Sequence, residues 1–176
     1  VDKVRLFCDR LERQTSNEEL RQVQGGQVIG LSRRGKFLLF HLSNGSLMVF
    51  HLRMTGKLLL VPSTLPLTGR DRMRLDFEES DWAISFEDQR RFGSLAVFGF
   101  GHDAPAGLLD ELGPDALTVG LAEFRELLGA SRRPVKALLL DQRVIAGLGN
   151  IYVGESLHRA NQSDVSLVDE VGDAQP

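Results

Sequence analysis

Cysteine is nearly missing from this chain. Cys8 stands alone, so neither an internal disulfide nor a four-cysteine structural zinc site can staple the fold. No stretch approaches the roughly 18 consecutive apolar residues of a membrane span, and the opening Val1-Asp-Lys-Val-Arg-Leu has no apolar signal core. There is no Gly-x-Ser-x-Gly elbow and no Walker-type phosphate loop, and His41, His51, His102 and His158 show no metal-ligand spacing. The paired acids Glu87-Asp88 and Asp110-Glu111 are adjacent, so they point different ways and make poor acid/base couples. These absences predict a soluble, intracellular protein of a reducing compartment, with no obvious nucleophile and no membrane partner.

An excess of positive charge is lacking too. The formal charge is −3, which argues against a strongly basic nucleic-acid binder. Yet the last thirteen residues hold Asp164, Asp169, Glu170 and Asp173 with no Lys or Arg; setting those four aside leaves 21 basic against 20 acidic residues, a net of +1. Local clustering then decides the partner. What remains is ordinary for a soluble globule: 176 residues, 42% hydrophobic and 26% charged, room for one large domain or two small ones.

Patterning divides the chain. The first 25 residues look helical in pieces, with Ser16-Asn-Glu-Glu19 as a capping box and Gly25-Gly26 as a stop. From Gln27 the period becomes that of strands: 28–31, 37–40, 47–50, 57–61, 73–77 and 82–86, with Ser43-Asn44-Gly45-Ser46 as a hairpin turn and Glu78 to Asp81 as an acidic one. After about Gly101 the pattern turns helical, at 106–112, 121–128, 134–141 and 150–160. The expectation is an α+β fold, an antiparallel β-sandwich over residues 1–105 followed by a helical module over 106–163 and an acidic tail over 164–176.

Four basic clusters stand out: Arg33-Arg34-Gly35-Lys36, Arg70-Asp71-Arg72-Met73-Arg74, Arg90-Arg91-Phe92-Gly93 and Arg132-Arg133-Pro134-Val135-Lys136. Solvated turns would explain any one of them; four in an otherwise neutral body favour a polyanion. Met54, in His51-Leu-Arg-Met-Thr-Gly56, reads either as core filler or as an unbranched apolar wedge presented beside cations. Phe92 beside Arg90 and Arg91 has the same mixture of stacking surface and guanidinium. Gly147-Leu-Gly149-Asn150-Ile-Tyr152 fails as a dinucleotide fingerprint, because Tyr152 stands where the third glycine belongs. It reads as a tight turn with Asn150 at a helix N-terminus, either a plain N-cap or an anion site.

These motifs, together with Leu112-Gly-Pro114 and Lys136-Ala-Leu-Leu-Leu-Asp-Gln142, stand in the order and approximate spacing of the formamidopyrimidine-DNA glycosylase family, which includes endonuclease VIII. The resemblance spans roughly residues 27 to 160. It implies base excision repair: flipping of an oxidised purine such as 8-oxoguanine or formamidopyrimidine out of duplex DNA, glycosidic cleavage, then a β-elimination nick at the abasic site. It further implies that Met54, Arg90 and Phe92 fill or wedge the gap. Lys36 contacts phosphate and donates a proton during elimination, His51 and Asn150 contact phosphate, and Arg132 and Lys136 approach DNA, with Arg70 keeping a cation where relatives have histidine. The second half resembles a helix–two-turn–helix module.

The chain departs from the family at both ends. Members begin with a proline whose amine attacks the sugar, followed by glutamate, whereas this chain begins Val1-Asp2, and neither Val1 nor an internal residue is an adequate substitute. The C-terminal zinc ribbon is absent, so no cofactor is expected. A further change is Asp88-Gln89-Arg90 in place of the commoner aspartate-proline-arginine. The resemblance therefore implies a glycosylase/lyase core, truncated at both ends and inactive as given, with a non-catalytic reader of damaged or bent DNA as the alternative. A monomer acting on double-stranded DNA with oxidised bases, in the bacterial cytoplasm at the nucleoid, completes the expectation. A shortened helical module further predicts that Leu138, Leu139 and Leu148 are exposed or mobile.

Overall fold

The computed structural model describes residues 1, 3–6, 15–99 and 108–163. The chain forms two compact units, Val1–Ala106 and Gly107–Pro176. Cys8, His102 and the acidic tail lie outside the described residues.

Among its described residues the first unit is an antiparallel sandwich of eight strands: β1 (Lys3–Leu6), β2 (Val28–Arg34), β3 (Phe37–Leu42), β4 (Leu47–His51), β5 (Lys57–Pro62), β6 (Asp71–Asp76), β7 (Trp82–Glu87) and β8 (Ser94–Phe98). One sheet has the order β1-β6-β7-β5 and the other β2-β3-β4-β8. Apolar side chains alternating inward from both sheets close a single core of Phe40, Leu42, Met48, Phe50, Met73, Leu75, Phe86, Leu95 and Val97. Phe50 joins the layers: its ring meets Phe40 of its own sheet at 5.1 Å and Phe86 of the other at 5.9 Å, both edge-on. The expected capping box opens helix α1 (Asn17–Arg21), with Ser16 Oγ accepting from the Glu19 N–H and Glu19 Oε2 from the Ser16 N–H.

Two strands escaped the sequence pattern. β1 lies in the stretch read as helical, where four residues, Lys-Val-Arg-Leu, are too few to reveal a period; pairing with β6 makes them a strand. β8, Ser-Leu-Ala-Val-Phe, follows directly on the basic loop at 90–93, has only five residues in which to show a period, and is held by its register with β4.

The second unit carries α2 (Leu121–Gly129), α3 (Val135–Leu140) and α4 (Asn150–Arg159) around Val135, Leu138, Leu139, Ile145, Val153 and Leu157. Of the helix expected over 106–112, the described residues 108–112 form none. Residues 108–111 form turns, and Gly113 packs so closely on the Val144 carbonyl that a Cβ would lie 2.4 Å from its oxygen. Spacings of three and four place Leu121, Phe124, Leu127 and Leu128 along one face of α2, yet only part of it is covered: Phe124 and Leu128 pack on the core, whereas Leu121 is exposed. Leu138 and Leu139 are buried, contrary to the exposure expected of a shortened module, because Val153 and Leu157 of α4 cover them.

Candidate nucleic-acid interface

The antiparallel register collects the predicted residues of the first unit at one end of the sandwich. In one sheet Phe37 pairs with His51 and His51 with Ser94; in the other Lys57 and Asp71 both pair with Glu87. The loops at 35–36, 52–56 and 88–93 therefore emerge together, and the 63–70 connection, which leaves β5 at the opposite end where Pro62 pairs with Trp82, arrives beside them at Arg70. They carry Lys36, Met54, Arg70, Arg90 and Phe92, with His51 at the strand end beneath them.

Lys36 sits in the two-residue turn between β2 and β3, made possible by Gly35 at φ +56°. Partial burial, and then the charge of Arg53, lower its pKa below the ordinary lysine value. His51 lies beside it. Its Nδ1 accepts the Arg53 N–H at 3.0 Å, and its ring stands edge-on to Phe37 at 4.8 Å. Burial, and then Arg53 and Lys36, push the His51 pKa down to about 4, so the imidazole is neutral near pH 7. With Nδ1 accepting, its proton resides on Nε2.

Met54 is 72% exposed, which disposes of the core-filler reading. The turn around it is tight: Arg53 has φ +53°, and a Cβ on Gly56 would meet the Leu52 carbonyl oxygen at 2.4 Å. From the neighbouring loop Arg90 donates Nη1–H to the Met54 sulfur at 3.5 Å, and its guanidinium lies 5.0 Å from the Phe92 ring centroid. A thioether, a guanidinium and a phenyl ring thus form one exposed row, with Met54 standing 36 positions before Arg90 and 38 before Phe92.

Asp88 holds this row together, a role the sequence did not reveal. Only 1% exposed, its carboxylate accepts the Thr55 hydroxyl and the N–H groups of Arg90, at 3.2 Å, and Gly93, at 2.7 Å. Burial raises its pKa, but these donors and the Phe92 N–H outweigh that and leave it below the ordinary aspartate value. The available signal was an aspartate two residues before Arg90 and five before Gly93, the geometry of a side chain closing its own loop. Arg53 was missed as well; after burial, its charge is the next cause that lowers both His51 and Lys36.

The second basic cluster divides. Arg70 is exposed at the loop end, whereas Arg72 and Arg74 are buried in β6. Arg72 donates to the carbonyls of Asp88, Asp71 and Gly69, and Arg74 to those of Leu65, Pro62 and Ser63. Their guanidiniums tie loops to the sheet, so the reading of this whole cluster as phosphate-facing is corrected. Asp71 between them is buried and accepts the Ser85 and Thr68 hydroxyls.

In the second unit Arg132 is exposed before α3 and Lys136 half-buried in its first turn, while Arg133 is engaged by Asp141 at 3.0 Å. Asn150 is the first residue of α4 and Gly149 its N-cap, so the plain N-cap reading of Asn150 fails. Gln142 shapes the intervening turn. Its Nε2 donates to the Leu140 and Leu148 carbonyls and its Oε1 accepts the Gly147 N–H at 3.0 Å, where Gly147 takes φ +104°. Among the described residues no group of three or more His, Cys, Asp or Glu could hold a metal ion, and no helix is long and apolar enough to cross a membrane.

Comparison with known proteins supplies the lineage. Residues 1–95 match the model of the formamidopyrimidine-DNA glycosylase N-terminal domain, and residues 112–173 that of the formamidopyrimidine-DNA glycosylase H2TH domain. The formamidopyrimidine-DNA glycosylase of Carboxydothermus hydrogenoformans is 38% identical over 164 residues, covering 93% of this chain and 59% of the relative. That of Thermus thermophilus is 44% identical over 142 residues, covering 80% and 51%. Among solved structures, the Lactococcus lactis enzyme in complex with abasic-site DNA superposes with a TM-score of 0.85 at 28% identity, covering 97% of this chain and 63% of that one. The Thermus thermophilus MutM protein gives 0.79 at 37%, covering 96% and 60%. The chain spans between half and three-fifths of the length of these two sequence relatives. With both domain models matched in order along its length, this chain belongs to the formamidopyrimidine-DNA glycosylase family.

Proposed function

We propose that this chain is the DNA-engaging core of a base-excision glycosylase that removes oxidised purines from duplex DNA and opens the strand at the abasic site. The observation that carries this reading is the row Met54–Arg90–Phe92, exposed and held by one buried carboxylate. A base cannot be reached inside the stack, so it must be rotated out, and the gap must then be filled by side chains that stack and donate hydrogen bonds. A thioether, a guanidinium and a phenyl ring in contact supply those properties. The relatives solved with 8-oxoguanine-containing and abasic-site DNA support the same partner.

In this reading Lys36, His51, Arg70, Arg132, Lys136 and Asn150 receive backbone phosphates. The neutral His51 offers Nε2–H without adding charge to a site already crowded with cations. Lys36 is also the proton donor of the elimination step, and its lowered pKa brings it nearer the working pH, where a general acid is most effective. The site works without a metal, as a monomer, at the bacterial nucleoid.

The test is binding and borohydride trapping on a duplex containing 8-oxoguanine. The expected result is salt-sensitive binding that favours the damaged duplex, with no trapped adduct. Robust covalent trapping would place a nucleophile inside this chain. Affinity unchanged by Lys36→Ala, Arg90→Ala and Asn150→Ala together would overturn the DNA reading itself.

A further inference from the structure

We infer that Met54 is an oxidant-sensitive modification site whose conversion to the sulfoxide disables the wedge; the functional consequence rests on the gap-filling reading above. The three methionines differ sharply in access. Met48 and Met73 are 0% exposed in the sandwich core, whereas Met54 is 72% exposed at the tip of its loop. A peroxide must approach a sulfur lone pair in line, and only Met54 presents one to solvent. Its neighbour is also suited to the product, because Arg90 Nη1 already lies 3.5 Å from the sulfur. A sulfoxide oxygen accepts a hydrogen bond far more strongly than a thioether does, so oxidation draws the guanidinium onto residue 54.

The chemistry balances with hydrogen peroxide as oxidant. The sulfur lone pair attacks the peroxide, an S–O bond forms as the O–O bond breaks, the sulfur loses two electrons, and water leaves. A dithiol reductant of the methionine sulfoxide reductase class reverses it, the oxygen departing as water while the dithiol becomes a disulfide. Two properties of the wedge are lost together. The side chain that enters an apolar stack becomes polar, and Arg90, otherwise placed between sulfur and Phe92, is held in an intramolecular pair. An enzyme recruited by oxidative DNA damage would thereby lose duplex affinity when the oxidant dose is high.

The test treats the intact chain with graded hydrogen peroxide, follows the three methionine-containing peptides by mass spectrometry, and measures affinity for a duplex carrying an abasic-site analogue. Met54 should reach half oxidation at a dose that leaves Met48 and Met73 largely unmodified. Duplex affinity should then fall about tenfold, as expected when an inserted apolar side chain becomes polar, and recover after reductase treatment. Met54→Leu, compared with its own untreated sample, should lose no affinity at that dose. Equal oxidation of all three methionines overturns the site. Selective oxidation with affinity intact overturns the coupling. If Met54→Ala binds as tightly as the unmodified chain, the gap-filling reading fails instead, and the peptide masses alone decide the modification site.

Discussion

The Thr55 hydroxyl donates to the carboxylate of Asp88 across 33 residues of sequence, a buried link between the turn presenting Met54 and the loop presenting Arg90 and Phe92, which also meet where the Arg90 N–H reaches Thr55 Oγ1 and its guanidinium reaches the Met54 sulfur. Neither loop has a hydrophobic anchor at its tip. Their mutual placement comes from a buried acceptor whose lone pairs are taken by both.

Asp88→Ala should therefore destabilise the first unit by about 3 kcal/mol, since it strands several buried donors at once, whereas Thr55→Val should cost about 1 kcal/mol, because the Arg90 N–H that its hydroxyl accepts keeps Asp88 as a second acceptor. Urea unfolding of the two single variants and the double variant checks this. Strict additivity would mean that the two loops are not coupled through Asp88.

Acid titration should reveal His51. Its folded pKa of about 4 lies below its ordinary 6.5, so the unfolded chain binds more protons between these values. Stability is fully present above about pH 6.5 and falls as the pH drops toward 4. Asp71 and Asp88, both held below the ordinary aspartate value, add their loss only at lower pH. His51→Gln should flatten the segment between pH 6.5 and 4 in denaturant midpoints; an unaltered slope there would assign it to other groups.

Duplex binding should report which cations face phosphate. Lys36→Ala and Arg132→Ala are each expected to reduce the slope of log affinity against log salt by about one unit. Arg74→Met, which removes a guanidinium bonded to three carbonyls inside the fold, should leave the slope unchanged while lowering stability. A reversed pattern would place the interface on another face.

Gly93→Ala should break the Phe92 loop. A Cβ there would lie 2.5 Å from the tip of the Phe86 ring and 3.3 Å from the His51 carbonyl oxygen, and Phe86 is wholly buried, so it cannot yield. Overpacking of this kind costs about 1 to 3 kcal/mol. A thermal midpoint equal to that of the unmodified chain would show that the loop adjusts without cost.

Much of the architecture was legible before any coordinates. Strand period, the Asn44-Gly45 turn, the Ser16 capping box and the helical stretch at 150–160 are local signals, each set by residues within a few positions of one another. β1 and β8 were not, because four or five residues carry too little period, and their partners β6 and β4 lie far along the chain. The cation clusters showed the same limit. Arg70 and Arg72 are indistinguishable as letters, yet one ends on the surface and the other among carbonyls.

By itself the sequence determined the two-part order of strands then helices, the lineage carried by its motifs, and which side chains were chemically fit for a DNA gap. Tertiary structure alone decided that Met54, Arg90 and Phe92 touch, that His51 stays neutral between two cations, and that Asp88 organises the loops. Contacts and proton affinities depend on distances through space and on exclusion of water, and those exist only once the two sheets close on each other.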